Sequence, residues 1–292
     1  MQFHVALLAV LATALAGCAS DVLLPAGGTR TRVARANGCP LERELRARPH
    51  EHVRLANPAG AGIGAVVFAG PDDYGTLMVS GGNAMGRYDT ASYTRFAQSH
   101  GFRVVAFSFQ GYDDNGGEPS LDSLLSDAAT VHDEIARRHP GEPIAYLASS
   151  ISTAPAICMA SHAPDLAGVV LEGQIDLQTL SFQKMGQWWP LLPLFPITLP
   201  YSTAFSLQMP DDLRASRCAS EAGLVPALFL HHPRDSMTSW GSARHLYQRY
   251  AGPKQLRVFR HSRDRVHHLL LSRDRPMQEV VVGTVREWLR RP

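Results

Sequence analysis

Ser150 stands between a short apolar run and a run that favours a helix, and this arrangement constrains the local fold more than any other feature of the chain. Residues 144–149 predict a buried strand, and residues 154–161 predict a helix. The residues two positions either side of the serine, Ala148 and Ser152, are small. A tight, strained turn between a strand and a helix has room only for small flanking side chains. The sequence therefore predicts a strand–turn–helix unit that lifts the Ser150 hydroxyl clear of the backbone.

Segments typical of strands and of helices alternate on both sides of Ser150. The predicted strands cover residues 76–80, 102–109, 168–171, 225–230 and 255–259, and the predicted helices cover about 88–100, 121–139, 239–250 and 277–289. A hairpin is predicted before them, with strands at 52–55 and 65–68 and with Gly60–Gly64 in its turn. Such alternation indicates an α/β fold in which helices cover a mostly parallel sheet.

Two further motifs accompany the serine turn. Gly81-Gly82-Asn83-Ala84 follows one predicted strand, and Gln110-Gly111-Tyr112 follows the next. From about residue 65 onward, the chain resembles the α/β-hydrolase superfamily of serine hydrolases, which includes esterases, lipases, thioesterases and serine aminopeptidases. It is most similar to the branch with a His-Gly-Asn-Ala oxyanion loop and an Arg-Gly-Tyr-like turn. The histidine and the arginine of that pattern are missing here, as are the glycines that usually flank the serine.

The resemblance implies a Ser-His-Asp catalytic triad in the chain order serine, acid, histidine. Ser150 is the implied nucleophile, in preference to Ser149 and Ser152. The implied acid is Asp235, which follows an apolar strand that begins at a proline, as in the family. Asp176 is a rival, since some hydrolases of this fold carry the acid after strand six.

The implied general base is His267, because family histidines commonly have an apolar residue two positions on, here Leu269. His268 fits slightly less well, and His261 is a third candidate. The choice among them stays open at this point.

The transition state of such a reaction needs donors for its oxyanion. The backbone N–H of Ile151, directly after the nucleophile, is one predicted donor. The second is expected from the Gly82-Asn83-Ala84 turn, most simply from Asn83, with Ala84 as the alternative. Backbone donors do not require glycine, so the departures from the family pattern leave this mechanism open.

The family places a cap between strands six and seven, and residues 174–217 form the corresponding insertion here. Its stretch Trp188–Pro196 is rich in proline, which forbids a regular helix through it. An apolar lid or acyl pocket over Ser150 and a simple structural cover are equally good interpretations of this segment.

The N-terminus predicts a lipoprotein. Val5–Ala16 is an apolar run of signal-peptide length, and Leu15–Cys18 resembles a bacterial lipobox, which implies cleavage before Cys18 and acylation of that residue. The expected organisation is a signal peptide at 1–17, a lipidated tether at 18–37 and a hydrolase domain at 38–292. Ala19 stands where an aspartate would signal inner-membrane retention, so the expected location is the periplasmic side of the envelope, with the outer membrane preferred.

Net charge, histidine spacing and cysteine positions limit which other partners and bound groups the chain is expected to have. A net charge of +2 gives no argument for a nucleic-acid partner. We expect no cofactor and no metal, because neither the His231-His232 pair nor the group of His261, His267 and His268 has Cys or carboxylate partners at ligand spacing. Cys158 is interpreted as a small buried hydrophobic residue, which would leave Cys39 and Cys218 to form a disulfide in an oxidising compartment.

The leading hypothesis from the sequence is thus a lipid-anchored serine hydrolase that cleaves carboxylic esters through an acyl-enzyme, with thioesters or lipid acyl groups as further substrates. The alternative is a non-catalytic envelope lipoprotein that uses the same fold for binding or scaffolding. The missing glycines and oxyanion-loop histidine motivate the alternative, and the retained Ser150, Asp235 and His267 argue against it.

Overall fold

A computed structural model of the chain describes residues 45–70, 75–83, 85–177, 211–235, 237–259 and 270–290. The strands are β1 (Glu51–Ala56), β2 (Gly62–Phe68), β3 (Thr76–Ser80), β4 (Arg103–Phe107), β5 (Ile144–Ser149), β6 (Leu166–Glu172), β7 (Ala227–His231) and β8 (Lys254–Val258). The helices are α1 (Arg87–Tyr93), α2 (Arg95–Ser99), α3 (Leu121–Arg138), α4 (Thr153–His162), α5 (Ala215–Glu221), α6 (Trp240–Arg249) and α7 (Arg275–Leu289). Turns of 3₁₀ helix cover Ser150–Ser152, Asp211–Leu213 and Leu271–Arg273.

The described strands form one sheet in the order β1-β2-β4-β3-β5-β6-β7-β8. Strand β2 runs antiparallel to both β1 and β4, and all other neighbours are parallel. The predicted α/β class with a mostly parallel sheet is confirmed. Because carboxyl ends of parallel strands lie at one edge of a sheet, the loops after β3, β5, β6 and β7 meet at that edge.

Both faces of the sheet are covered. Helices α3, α4, α5 and α6 contribute buried side chains to one apolar cluster, and α1, α2 and α7 contribute to the other. Along the central strand β5, Tyr146 and Ala148 belong to the first cluster, whereas Ala145 and Leu147 belong to the second. This alternation is expected of a strand that is buried on both faces.

The hairpin before β3 differs from the prediction in its turn. The prediction placed Gly60–Gly64 there, but Gly62 and Gly64 lie inside β2. The turn is shorter, with Gly60 N–H donating to Asn57 O at 2.8 Å and with Gly60 at φ +79°. A Cβ on Gly64 would overlap Arg87 Nη1 and lie 2.8 Å from Asn115 Oδ1, so any side chain there would displace the guanidinium.

The helix predicted over 88–100 is interrupted. Thr94, with φ −104° and ψ 18°, ends α1 before α2 begins. Its hydroxyl donates to Thr90 O at 3.0 Å. Such local bonds from threonine compete with the helical ladder, and a propensity argument does not see them.

The cysteine pairing predicted from the sequence is wrong. Cys218 of α5 is bonded to Cys158 of α4, with 4.8 Å between the two Cα atoms, and both residues are buried. The pairing with Cys39 failed because α4 and α5 pack side by side on one face of the sheet, which no spacing in the sequence reveals. Cys158 is therefore a disulfide cysteine and not a free hydrophobic residue.

Several predicted features lie outside the described residues. They include Cys18, Cys39 and most of the cap insertion with Trp188–Pro196. The described ends of that insertion, residues 174–177 and 213–217, contain several buried side chains. No described helix is long and apolar enough to cross a membrane.

Candidate active site

Ser150 occupies the turn between β5 and α4. The strand ends at Ser149, a single 3₁₀ turn covers Ser150–Ser152, and α4 begins at Thr153. Ser150 has φ +59°, a left-handed conformation that is strained for any residue with a Cβ. Only 4% of the residue is exposed. A strained residue held in a buried turn at the carboxyl edge of a sheet indicates a functional position.

The two neighbouring serines have different surroundings. Ser152 is fully buried, and its Oγ accepts the Ser149 N–H at 2.9 Å and lies 3.1 Å from the carbonyl oxygen of Ser80. Ser149 is also fully buried and is the last residue of β5. Ser152 therefore ties the turn to β3, as the small flanking residue that the turn requires.

The loop after β3 lies against Ser150. A Cβ placed on Gly82 would be 3.4 Å from Ser150 Cβ and 3.8 Å from Ser150 Oγ. The loop is closed by a bond from Met85 N–H to Gly82 O at 3.1 Å, and the Gly82 N–H lies 3.1 Å from Met85 Sδ. The Gly82 N–H is thus used within the loop, and the next described backbone donor along it is that of Asn83.

The two loop motifs contact each other. Tyr112, in the turn after β4, is almost fully buried and donates its hydroxyl to Asn83 Oδ1 at 2.6 Å. The turn that carries Tyr112 is held in place by Gly111 at φ +68° and by Gln110 N–H, which donates to Asp127 Oδ2 at 2.7 Å. Both motifs were recognised in the sequence, but their contact was not, since it joins residues 29 positions apart.

We expect Tyr112→Phe to lower kcat while leaving the fold intact. The hydroxyl orients the Asn83 side chain, and a hydrogen bond of this kind contributes about 0.5–1.5 kcal/mol, or roughly a 2- to 10-fold change in rate. Tyr250→Phe is the matched control, because it removes another buried tyrosine hydroxyl, bonded to Val225 O at 2.8 Å. Turnover should fall in the first variant and not in the second. Equal losses in both would contradict a positioning role for Tyr112.

Both candidate acids lie at the carboxyl edge of the sheet. Asp235 follows β7, is half-buried, and accepts the N–H groups of Met237 and Thr238 on Oδ1 at 2.7 and 2.9 Å. Asp176 follows β6, is buried, and its N–H donates to Ser242 Oγ at 3.2 Å. The bonds to Asp235 hold its carboxylate in one orientation, as an acid that must align an imidazole requires.

A third carboxyl group lies at this edge of the sheet, and the sequence analysis did not identify it. Glu172 is the last residue of β6, is 2% exposed, and accepts the Leu271 N–H on Oε1 at 2.9 Å. Burial raises its pKa to about 8, and the charges of Asp235 and Asp274 act in the same direction, against the bonds from Leu271 and Leu270. A charged residue at the end of an otherwise apolar strand was the available signal. Glu172 connects β6 to the chain that follows the predicted histidines.

Glu172→Gln should flatten the pH dependence of stability. A carboxyl whose pKa is raised from 4.5 to about 8 favours the folded state below pH 4.5, and this contribution is lost as the pH rises towards 8. Each pKa unit corresponds to about 1.4 kcal/mol, so the full effect is at most about 5 kcal/mol. Urea unfolding at pH 5 and pH 8 should show a larger loss in the wild type than in the variant. Identical losses would mean that Glu172 does not titrate abnormally.

The predicted base lies outside the described residues, together with its two rivals: His267, His268 and His261. Among the described site residues, the structure brings Gly82 against Ser150. Ile151 is buried beside Ser150 in the same 3₁₀ turn. The charge of Asp235 adds to the effect of burial in raising the pKa of Glu172.

Comparison with solved structures supports the architecture. The esterase Pf2001 of Pyrococcus furiosus aligns with a TM-score of 0.63 at 16% identity, over 85% of this chain and 92% of that chain. An esterase of Thermogutta terrifontis aligns with a TM-score of 0.53 at 15% identity, over 82% and 98%. A hypothetical protein of Pseudomonas aeruginosa gives 0.62 at 16% identity, over 82% and 93%. No family model and no curated protein matches the sequence.

Identities this low show the fold alone. The chain has the α/β-hydrolase fold, with a mixed, mostly parallel sheet and helices on both faces. The similarity covers most of each chain.

Proposed function

We propose that the chain is a serine hydrolase that cleaves carboxylic esters, with Ser150 as nucleophile. The observation that carries the proposal is the strained Ser150 backbone, φ +59°, packed against the Gly82 loop. Strain of this kind persists only where the surrounding structure enforces it, and here it aims a hydroxyl at a loop suited to hold an oxyanion.

The proposed reaction runs in two halves. His267 takes the proton of Ser150 Oγ while the oxygen attacks the ester carbonyl carbon. The tetrahedral intermediate collapses, the C–O bond to the alcohol breaks, and His267 returns the proton to the leaving alcohol. Water then attacks the acyl-enzyme by the same route, releasing the carboxylic acid and restoring Ser150. Asp235 holds the imidazole in the required tautomer and stabilises its charged form.

The backbone N–H groups of Ile151 and Asn83 are the proposed oxyanion donors. The bond between Gly82 N–H and Met85 Sδ favours Asn83 over Gly82 as the loop donor. Tyr112 supports this assignment, because it holds the Asn83 side chain and so restrains the loop. Removing one such donor typically costs about 3–4 kcal/mol of transition-state stabilisation.

Two observations favour esters as the substrate class. The Pyrococcus furiosus and Thermogutta terrifontis neighbours are named esterases, which favours esters for this chain as well. The apolar stretch Trp188–Pro196 favours substrates with acyl chains of moderate length, including lipid acyl chains, whether the bond is an ester or a thioester.

The test is turnover of p-nitrophenyl esters, from acetate to decanoate, and of a matched acyl thioester by the detergent-solubilised protein. We expect measurable kcat/KM for the esters, with a graded dependence on chain length, since each buried methylene contributes up to about 0.8 kcal/mol. Absence of turnover with every substrate would favour the non-catalytic alternative. That alternative is motivated by Ala148 and Ser152, which stand where the family usually has glycine.

We also propose that the protein is lipid-anchored at Cys18 and faces the periplasm. The lipobox supports the anchor, and the disulfide between Cys158 and Cys218 supports an oxidising compartment. Cys18→Ser should leave an unprocessed precursor that incorporates no labelled palmitate, because the acylated thiol is absent. Cys39→Ser is the control and should label like the wild type. Palmitate incorporation into Cys18→Ser would contradict the anchor.

A further inference from the structure

Three polar atoms meet at the opposite edge of the sheet from β7 and β8. His50 Nε2 lies 3.0 Å from His52 Nε2 and 2.8 Å from Tyr88 Oη, and His52 Nε2 lies 2.9 Å from Tyr88 Oη. The three atoms thus form a nearly equilateral triangle. His52 is exposed, His50 is half-buried and Tyr88 is buried, so the triangle is accessible from one side.

The fold brings these residues together by a simple route. His50 immediately precedes β1 and His52 is the second residue of that strand, and alternate side chains of an extended chain point to the same side. Tyr88 lies in the first turn of α1, directly after the loop that contacts Ser150. Among the described residues, no three His, Cys, Asp or Glu side chains could hold a metal ion; here the third donor is a tyrosine.

The protonation of His50 is set by its other nitrogen. His50 Nδ1 lies 2.6 Å from Arg48 O, and a carbonyl oxygen can only accept, so Nδ1 carries the proton. In the neutral ring, Nε2 then presents its lone pair to the triangle. An imidazole that donates one N–H to a backbone carbonyl and offers the other nitrogen is the usual state of a metal-binding histidine.

We propose that His50, His52 and Tyr88 bind a divalent first-row transition metal, with copper(II) as the preferred ion. Two ligands about 2.0–2.1 Å from one ion, and at right angles to each other, are about 2.8–3.0 Å apart. The three observed separations fall in this interval. Copper(II) accepts nitrogen and oxygen ligands and binds most tightly among these ions.

Two arginines lie near the three side chains. Arg87 is paired with Asp113 at 3.6 Å and with Asp114 at 2.6 Å, so its charge is compensated locally. The Arg46 guanidinium stacks 3.9 Å from the centre of the Tyr88 ring, so its positive charge opposes a bound cation. On binding, the metal–oxygen bond forms as the Tyr88 phenol releases its proton to solvent, and the resulting phenolate offsets part of the charge of the ion.

Equilibrium dialysis of the detergent-solubilised full chain against copper(II) tests the site. Wild type should bind one more copper ion per chain than His52→Ala, or bind it at least about tenfold more tightly. His245→Ala, which removes an exposed histidine on α6, is the control and should match the wild type. Equal copper stoichiometry and affinity in wild type and His52→Ala would overturn the proposal.

Tyr88→Phe provides a second readout that is independent of affinity. It removes only the hydroxyl and keeps the buried ring. Copper-loaded wild type should show a visible charge-transfer band from phenolate to copper(II), and the variant should lack it. Persistence of the band in Tyr88→Phe would exclude Tyr88 as a ligand, and tighter binding of zinc than of copper would overturn the choice of metal. Both readouts are separate from ester turnover.

Discussion

Ser150→Ala should lower kcat/KM for p-nitrophenyl butyrate by more than about 1,000-fold. Alanine removes the oxygen that forms the acyl-enzyme, and the remaining groups can at best assist direct attack by water. The substitution removes a single oxygen atom, so we expect the packing of residue 150 beside Gly82 to stay the same. Activity is measured on protein whose circular dichroism spectrum matches the wild type.

Ser149→Ala is the matched control for that substitution. Ser149 is the adjacent residue, is equally small and is buried at the end of β5. Its variant should keep activity within a few-fold of the wild type. If Ser149→Ala were inactive and Ser150→Ala active, the assignment of the nucleophile would be wrong.

His267→Ala should produce a loss of similar size, again more than about 1,000-fold in kcat/KM. Without an imidazole, no group takes the Ser150 proton during attack or returns it to the leaving alcohol. His268→Ala is the control, because it removes the imidazole of the next residue in the sequence. We expect it to keep most of the activity.

The opposite pattern, with His268→Ala inactive and His267→Ala near normal, would move the base by one residue. Loss of activity in both variants would require thermal unfolding curves to separate catalysis from folding. The described chain resumes at Leu270, and the Leu271 N–H donates to Glu172 Oε1 at 2.9 Å.

The sheet was predictable because its signals are local. Apolar runs such as 76–80 and 144–149, separated by runs of helical character, report burial on both faces and hence parallel strands. The serine turn was predictable for the same reason, since small residues at 148 and 152 reflect the space that the turn leaves.

Features that depend on tertiary packing were not predictable. The disulfide between Cys158 and Cys218 depends on the side-by-side packing of α4 and α5. The bond from Tyr112 to Asn83 and the burial of Glu172 depend on which loops meet at the edge of the sheet. None of these contacts leaves a periodic pattern in the chain.

The most direct measurement is the mapping of a fluorophosphonate adduct by mass spectrometry of the detergent-solubilised protein. These reagents phosphonylate a serine, with loss of fluoride, when a base activates it beside an oxyanion site. We expect a single adduct on the peptide that contains Ser150, and none on the Ser150→Ala variant. Absence of an adduct on the folded wild type, or an adduct on Ser149 or Ser152 instead, would contradict the account.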